Sequence, residues 1–274
     1  MEGLVRAIQD EYRVADAHAH IYPSKIAAKA TAAVGRFYDI PMDVPAGTSQ
    51  ALLQQGSLIG CEKYLVCSVA TKVEQVESIT RFIAQECEEH PEFIGLGAYH
   101  QDVPDPTPAL DLVDALGLQG VKVHPDFQRF DIDDPRLFPL YEQLEARGMK
   151  ILFHMGDNRY DFSAPIRLLR VLDKYPKLKA IAAHFGGYQA WDVARDLFPG
   201  TDIMFDCSSA LFFLSPARAQ EMVRTYGVEH IMFGVDFPMW SHEDEFHRFL
   251  GLGLTHDENK AVLYDNFARF MGID

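Results

Sequence analysis

Val14-Ala15-Asp16-Ala17-His18-Ala19-His20-Ile21 decides the fold. Side chains alternate along a strand, so Asp16, His18 and His20 share one face and Ala15, Ala17 and Ala19 share the other. Such a strand is too apolar for a solvent face and collects its polar groups toward its carboxyl end, which suits a parallel sheet covered on both sides. Working outward, apolar runs recur at 64–70, 93–99, 120–124, 150–154, 180–184, 203–207 and 230–235. Amphipathic stretches at 72–89, 135–147, 165–174, 216–226 and 256–270 have helical period, and several open with proline near the first turn. Gly117, Gly148 and Gly227 follow helical stretches, where a left-handed cap is expected.

With residues 14–21 the strands number eight, and their alternation with helices predicts an α/β chain closed into a (β/α)8 TIM barrel. That fold needs roughly 250 residues, so the 274 residues are read as one domain, 1–274. An open doubly wound sheet would be expected to carry a glycine-rich dinucleotide fingerprint, which is absent. The irregular part is a long loop insertion at about 22–60, marked by the turn Ile40-Pro41-Met42-Asp43-Val44-Pro45.

The chain is 48% hydrophobic and 24% charged, the balance of a globular protein with a large core, which excludes disordered and fibrous classes. Its net charge of −15 opposes attraction to phosphate backbones and anionic lipid, so neither nucleic acid nor membrane is expected as a partner. No stretch approaches the ~20 apolar residues of a membrane span, and residues 1–13 lack the apolar core of a signal peptide, which predicts a cytoplasmic location. Cys61, Cys67, Cys87 and Cys207 form no CxxC pair and read as reduced core residues. A small-molecule substrate is the expected partner, with a homodimer left open.

Metal-binding side chains recur at one place, the carboxyl end of an apolar strand, which in a barrel is the catalytic face. The first strand supplies His18 and His20; the fifth ends in Phe153-His154, the sixth in Ala183-His184 and the eighth in Val235-Asp236. A lone histidine at a strand end is more often a hydrogen-bonded structural residue than a ligand. A same-face pair with further donors at matching strand ends points instead to one bound divalent ion. Imidazoles with a carboxylate suit zinc, with manganese as the alternative, and leave a position for water or substrate. Asp16 is expected to orient an imidazole or to line the barrel floor. Lys122, Arg129 and Arg159 would make a local positive spot able to hold a carboxylate, with His100, His124 and Trp240 as further substrate contacts. Gln101, Asp157 and His242 fall near the same mouth. The acidic runs at 86–89 and 243–245 read as solvated helical faces, and His90, His230, His247 and His256 as structural.

The motifs D-A-H-A-H at 16–20, G-V-K-V-H-P at 120–125, F-H-M-G-D at 153–157, A-H-F-G-G at 183–187 and M-F-G-V-D-F-P at 232–238 form an ordered set. That set resembles the amidohydrolase superfamily, and within it the amidohydrolase-related group that includes aminocarboxymuconate-semialdehyde decarboxylase and the resorcylate decarboxylases. The resemblance covers nearly the whole chain and implies a barrel of the metal-dependent hydrolase type. It also implies His18, His20, His154 and Asp236 as metal ligands and His184 as the residue that positions or protonates the reacting group. Some members hold two metals bridged by a carboxylated lysine on the fourth strand, where Lys122 lies here. The decarboxylase-like group is similar to a mononuclear pattern, and one ion is expected.

The leading expectation is hydrolysis of an amide, lactone or ester in a small, carboxylated substrate. The metal would bring its water to a pKa of about 7, Asp236 would accept the proton and His184 would stabilise the oxyanion. The alternative is nonoxidative decarboxylation at the same site, which the metal ligands do not distinguish from hydrolysis. A more remote alternative is a barrel that binds a ligand without catalysis. Specificity in this fold lies in loops whose conformations the sequence does not dictate.

Overall fold

A computed structural model describes residues 11–274. They divide into two compact units, one formed by the chain up to Val66 together with Cys207–Asp274, the other by Cys67–Asp206. In chain order the first unit contributes strand β1 (Val14–His20), helices α1 (Ser24–Tyr38) and α2 (Ser49–Ser57), and strand β2 (Cys61–Cys67), whose last residue opens the second unit. The second unit continues with α3 (Val76–Glu89), β3 (Phe93–Gly95), β4 (Gly97–Ala98), α4 (Pro106–Ala115), β5 (Gly120–Val123), α5 (Pro125–Gln128) and α6 (Phe138–Arg147). It ends with β6 (Lys150–Phe153), α7 (Pro165–Lys174), β7 (Lys179–Ala182), α8 (Trp191–Leu197) and β8 (Met204–Asp206). The chain then returns to the first unit with α9 (Pro216–Tyr226), β9 (Ile231–Met232), α10 (His242–Leu250), α11 (His256–Lys260) and α12 (Asn266–Met271).

In the second unit β4 to β8 neighbour one another in sequence order, with parallel pairing from β4 through β8. The register sets Val123 beside Phe153, Phe153 beside Ala182, and Ala182 beside Phe205. In parallel strands this row is a shared carboxyl edge, so His124, His154, Ala183 and Asp206 follow it at one end of the sheet. Gly120 makes the close approach of β5 to β6 workable. Its φ is +155°, and a Cβ there would stand 1.9 Å from the Lys150 carbonyl oxygen. Helix α7 buries Leu168, Val171 and Leu172, the i, i+3, i+4 stripe of an amphipathic helix. Asp105 caps α4 by accepting the Thr107 N–H, with Pro106 in the first turn. Gly148 ends α6 at φ +65°, the left-handed cap expected there. The third expected strand is split into β3 and β4 around buried Leu96.

In the first unit β1 has β2 as its hydrogen-bonded neighbour. Beyond the short β9, the chain runs along β1: Ala17 N–H donates to Phe233 O at 2.9 Å, Asp236 N–H to His18 O at 2.8 Å and His20 N–H to Phe237 O at 2.7 Å. A parallel bridge joins Ala19 and Phe237. This pairing brings Asp236 beside the histidine pair.

The stretch at about 22–60 is not the long loop expected, since it carries α1 and α2. Helix α1 buries only the small residues Ala27, Thr31 and Gly35, so its inward face leaves no large-apolar period in the sequence. Helix α2 starts at Thr48, whose hydroxyl accepts the Ala51 N–H. The helix expected at 256–270 runs as α11, one π-helical turn (Ala261–Asp265) and α12. Among the described residues no helix is long and apolar enough to cross a membrane.

Candidate metal centre

Strand β1 turns His18 and His20 to one side, as its period-two pattern predicts. Their Nε2 atoms lie 3.2 Å apart, and Asp236 Oδ1 lies 3.7 Å from the first and 3.4 Å from the second. Donors bound to one ion at about 2.1 Å, with angles between octahedral and tetrahedral, stand roughly 3.0–3.5 Å from each other. Two of the three separations fall in that range and the third, 3.7 Å, lies just beyond it, so the three atoms converge on one point. Their side chains are nearly closed to solvent, with exposures of 0, 12 and 10% for His18, His20 and Asp236. Burying two ring nitrogens against a carboxylate without a shared cation or proton would be costly.

Asp16 underlies this set. Its Oδ1 accepts the backbone N–H groups of His18 and Val235, each at 2.9 Å, and its Oδ2 lies 3.0 Å from His242 Nε2. Asp16 therefore faces the imidazole of His242, which is not one of the proposed ligands, and through two backbone N–H groups it ties β1 to the segment carrying Asp236. Ser208 Oγ lies 3.2 Å from His18 Nδ1, and the Ser209 hydroxyl donates to Asp236 Oδ2 at 2.6 Å. Ser209 and Asp236 both adopt positive φ, 53° and 62°. For residues with a Cβ this costs on the order of 1–3 kcal/mol each, a strain that surrounding structure must offset and that gathers at functional sites.

The second unit holds its own polar group. His154 Nε2 lies 3.0 Å from the Gly156 carbonyl, and its Nδ1 lies 3.0 Å from His184 Nε2. A carbonyl only accepts, so neutral His154 carries its proton on Nε2, and Nδ1 then accepts from His184 Nε2–H. His184 itself sits at φ +61°; its N–H donates to Asp206 Oδ1 at 3.1 Å and its carbonyl accepts the Trp191 indole N–H at 3.0 Å. Asp126 Oδ2 accepts the Ser163 hydroxyl at 2.5 Å and lies 3.6 Å from His154 Nε2. Burial pushes the Asp126 carboxyl up to about 7, against the opposing pull of the Ser163 hydrogen bond. His124, Asp126 and His154 place ligand atoms within 4.8 Å of one another. The His124 and His154 rings, however, are stacked 3.9 Å apart at an interplanar angle of 8°. Imidazole lone pairs lie in the ring plane, so no common ion between these rings is favoured.

Of the other expected site residues, Lys122 is fully buried in β5 beside Leu152, and Arg129 is exposed as the left-handed residue ending α5. Arg159 is bidentate to Asp157, with Nε to Oδ1 at 2.9 Å and Nη2 to Oδ2 at 2.6 Å, so its charge is already matched. His100 is buried, which lowers its basicity, and its Nδ1 accepts the Asp102 N–H. Trp240 is buried in the first unit and donates to Ser209 Oγ. One expectation is corrected here: the run 243–245 is not wholly a solvated face, because Glu245 has no exposure and pairs with Arg248. Burial pushes its carboxyl up to about 8. Residues that sequence reasoning missed are Asp126, Ser163, Asp206, Ser208 and Ser209. The rule used for the histidines would have found three of them, since Asp206-Cys207-Ser208-Ser209 follows an apolar run at a strand end.

The chain matches the protein family described as Amidohydrolase over residues 15–273. Its structure is similar to that of 5-carboxyvanillate decarboxylase from Sphingomonas paucimobilis, with a TM-score of 0.75 and 17% identity, covering 96% of this chain and 99% of that one. It is likewise similar to an uncharacterised TIM-barrel protein from Bordetella bronchiseptica, with a TM-score of 0.77, 17% identity and coverage of 95% and 98%. A third similar structure is a dihydroxybenzoic acid decarboxylase from a Polaromonas species with bound manganese and the inhibitor 2-nitroresorcinol, with a TM-score of 0.74, 15% identity and coverage of 95% and 97%. At such identities the likeness is one of fold, the (β/α)8 TIM barrel that the strand–helix alternation predicts.

Proposed function

This chain belongs to the amidohydrolase family, and on that premise we propose that it is a metal-dependent carboxy-lyase acting on a small carboxylated ring compound. The observation that carries the reading is the set His18 Nε2, His20 Nε2 and Asp236 Oδ1, spaced 3.2–3.7 Å apart. Decarboxylation is preferred to hydrolysis because fold neighbours matching nearly the full length of both chains are named decarboxylases.

His18, His20 and Asp236 would hold one divalent ion. The nitrogen and oxygen donors suit zinc or manganese, and the neighbour that carries manganese supports the latter. Once bound, the ion supplies Lewis-acid chemistry, drawing electron density from substrate oxygens. In the decarboxylation the bond between ring carbon and carboxyl carbon breaks, carbon dioxide leaves, and the electron pair stays on the ring carbon until a proton reaches it. His184 is proposed to deliver that proton from Nε2, which already acts as a donor toward His154. Arg129, which is exposed, is the proposed anchor for the substrate carboxylate, since Arg159 is already paired with Asp157.

The test is a panel of hydroxylated aromatic acids, together with their amides and esters, incubated with manganese- or zinc-loaded protein. Carbon dioxide released in step with loss of the acid is the expected result. Net addition of water to an amide, lactone or ester without carbon dioxide would replace the lyase reading by hydrolysis, which the same donor set also serves.

A further inference from the structure

We propose that Trp240 and Ser209 form a polar relay that decides which oxygen of Asp236 faces the two imidazoles of β1. The inference rests on the proposed metal site and concerns how this chain prepares it.

The direction of the relay follows from what each group can do. An indole N–H only donates, whereas a serine hydroxyl has one proton and two lone pairs. Trp240 Nε1 lies 2.8 Å from Ser209 Oγ, so the indole takes a lone pair of the hydroxyl and leaves its proton to be given elsewhere. Two acceptors stand within reach, Asp236 Oδ2 at 2.6 Å and the weakly accepting Met239 Sδ at 3.5 Å. The carboxylate wins on charge and on distance. Oδ2 is thereby engaged, and Oδ1 is the oxygen left 3.4 and 3.7 Å from the ring nitrogens of His20 and His18.

The outer end of the relay is fixed as firmly as the inner one. Trp240 is only 3% exposed, and its ring stacks on Phe212 with centroids 4.6 Å apart and an angle of 26°. The Arg248 guanidinium lies 5.7 Å from the same ring. A buried, stacked indole has little freedom to swing its N–H away. Ser209 holds φ +53° while it makes these bonds, a conformation that a serine adopts only when its surroundings impose it. Without the relay, Asp236 could turn and offer both oxygens to an ion, adding a ligand and filling a position that substrate or water needs. Ser209 and Trp240 are thus positioning residues, acting on the site through Asp236.

Cobalt(II) is the probe, because its visible spectrum reports coordination number and ligand set. Wild type is compared with Ser209→Ala, Ser209→Gly and Trp240→Phe, each checked for fold by circular dichroism. Alanine at φ +53° keeps the backbone strain that serine bears, whereas glycine relieves it, so the pair separates loss of hydroxyl from change of backbone. Both serine variants are expected to change the cobalt spectrum alike, toward higher coordination, with cobalt affinity altered by less than about tenfold. Trp240→Phe keeps the stacked ring and loses only the N–H, and a smaller change in the same direction is expected. Serine variants whose spectra superimpose on wild type would sink the relay and leave the metal site standing, as would a change in Ser209→Ala that Ser209→Gly does not share. A folded wild type that takes up no cobalt would remove the metal reading and the relay with it.

Discussion

In the first unit two imidazoles turn the same nitrogen, Nε2, toward one carboxylate oxygen of Asp236. In the second, His154 spends its nitrogens on different neighbours, the Gly156 carbonyl and His184. The contrast separates two uses of the same side chain. Convergent lone pairs repel unless a proton or a metal cation lies among them, and the first arrangement is the one proposed to hold the metal. A ring that gives one proton and accepts another, as His154 does, is satisfied without an ion. Both carboxyl groups accept a serine hydroxyl, but Asp236 meets two ring nitrogens where Asp126 meets one, and burial pushes Asp126 up to about 7.

The largest expected effect breaks the first arrangement outright. Replacing both His18 and His20 by alanine removes two of the three converging donors, so retained metal should fall from about one equivalent to less than about a tenth. The fold should survive, because residues at the carboxyl ends of barrel strands serve chemistry more than stability. Elemental analysis after desalting, with circular dichroism on the same sample, checks both halves. His154→Ala sharpens the comparison, since it leaves the convergent set intact and should leave metal retention near that of wild type. Equal metal content in the double variant and wild type would erase the distinction.

A smaller effect concerns what holds each arrangement in place. Asp16 carries two buried backbone N–H groups and faces His242, whereas Gln128 in the second unit accepts the His124 N–H and donates to the carbonyls of Ala70 and Tyr99, all at 2.7 Å. Both clamps join strand ends, but only the first is made by a carboxyl group facing an imidazole. Hydrogen bonds to a charged group contribute about 1.5–3 kcal/mol, against 0.5–1.5 for neutral ones. Asp16→Ala should therefore destabilise the protein by about 3 kcal/mol or more, and Gln128→Ala by roughly 2, in chemical denaturation. Asp16→Asn should lie between Asp16→Ala and wild type, because an amide oxygen still accepts. A larger cost at Gln128 than at Asp16 would reverse the ranking.

The parts of this design that the sequence made legible are those that follow from local period. His18 and His20 share a face because strands repeat every two residues, and His154, His184 and Asp236 come next to apolar runs that could only be covered strands. Helices α7 and α9 keep the limits 165–174 and 216–226 because proline opens each of them and apolar residues mark its buried face. What stayed hidden depends on tertiary contact. The inward face of α1 is alanine, threonine and glycine, so no stripe of large residues announced it. Glu245 sits in an acidic run like any solvated helix, and only packing around α10 reveals that it is buried. Ser209 acquires its role from a positive φ in a loop and from a tryptophan 31 residues away. Neither fact has a local signature.

The smallest effect tests the protonation side of the comparison, through Asp126. Its carboxyl titrates near 7 when folded and near the ordinary aspartate value, about 3.9, when unfolded. Between those values the folded chain binds a proton that the unfolded chain has released. Raising the pH across that window therefore favours unfolding, and the loss is complete once the pH passes the folded value. Below the unfolded value both states are protonated and the group contributes no slope. Asn at 126 is neutral at every pH, keeps the shape, and offers its amide oxygen to the Ser163 hydroxyl, so it should remove this contribution and little else. Denaturation free energies of wild type and Asp126→Asn, measured side by side from pH 5 to 8, should show the wild type losing about 1–3 kcal/mol relative to the variant as pH rises. All other titrating groups are common to both proteins, so the difference between the curves isolates this carboxyl. Parallel curves would mean that Asp126 is ionised like an ordinary aspartate, and the second unit would then hold a charged carboxylate beside His154, as the first does beside its own pair.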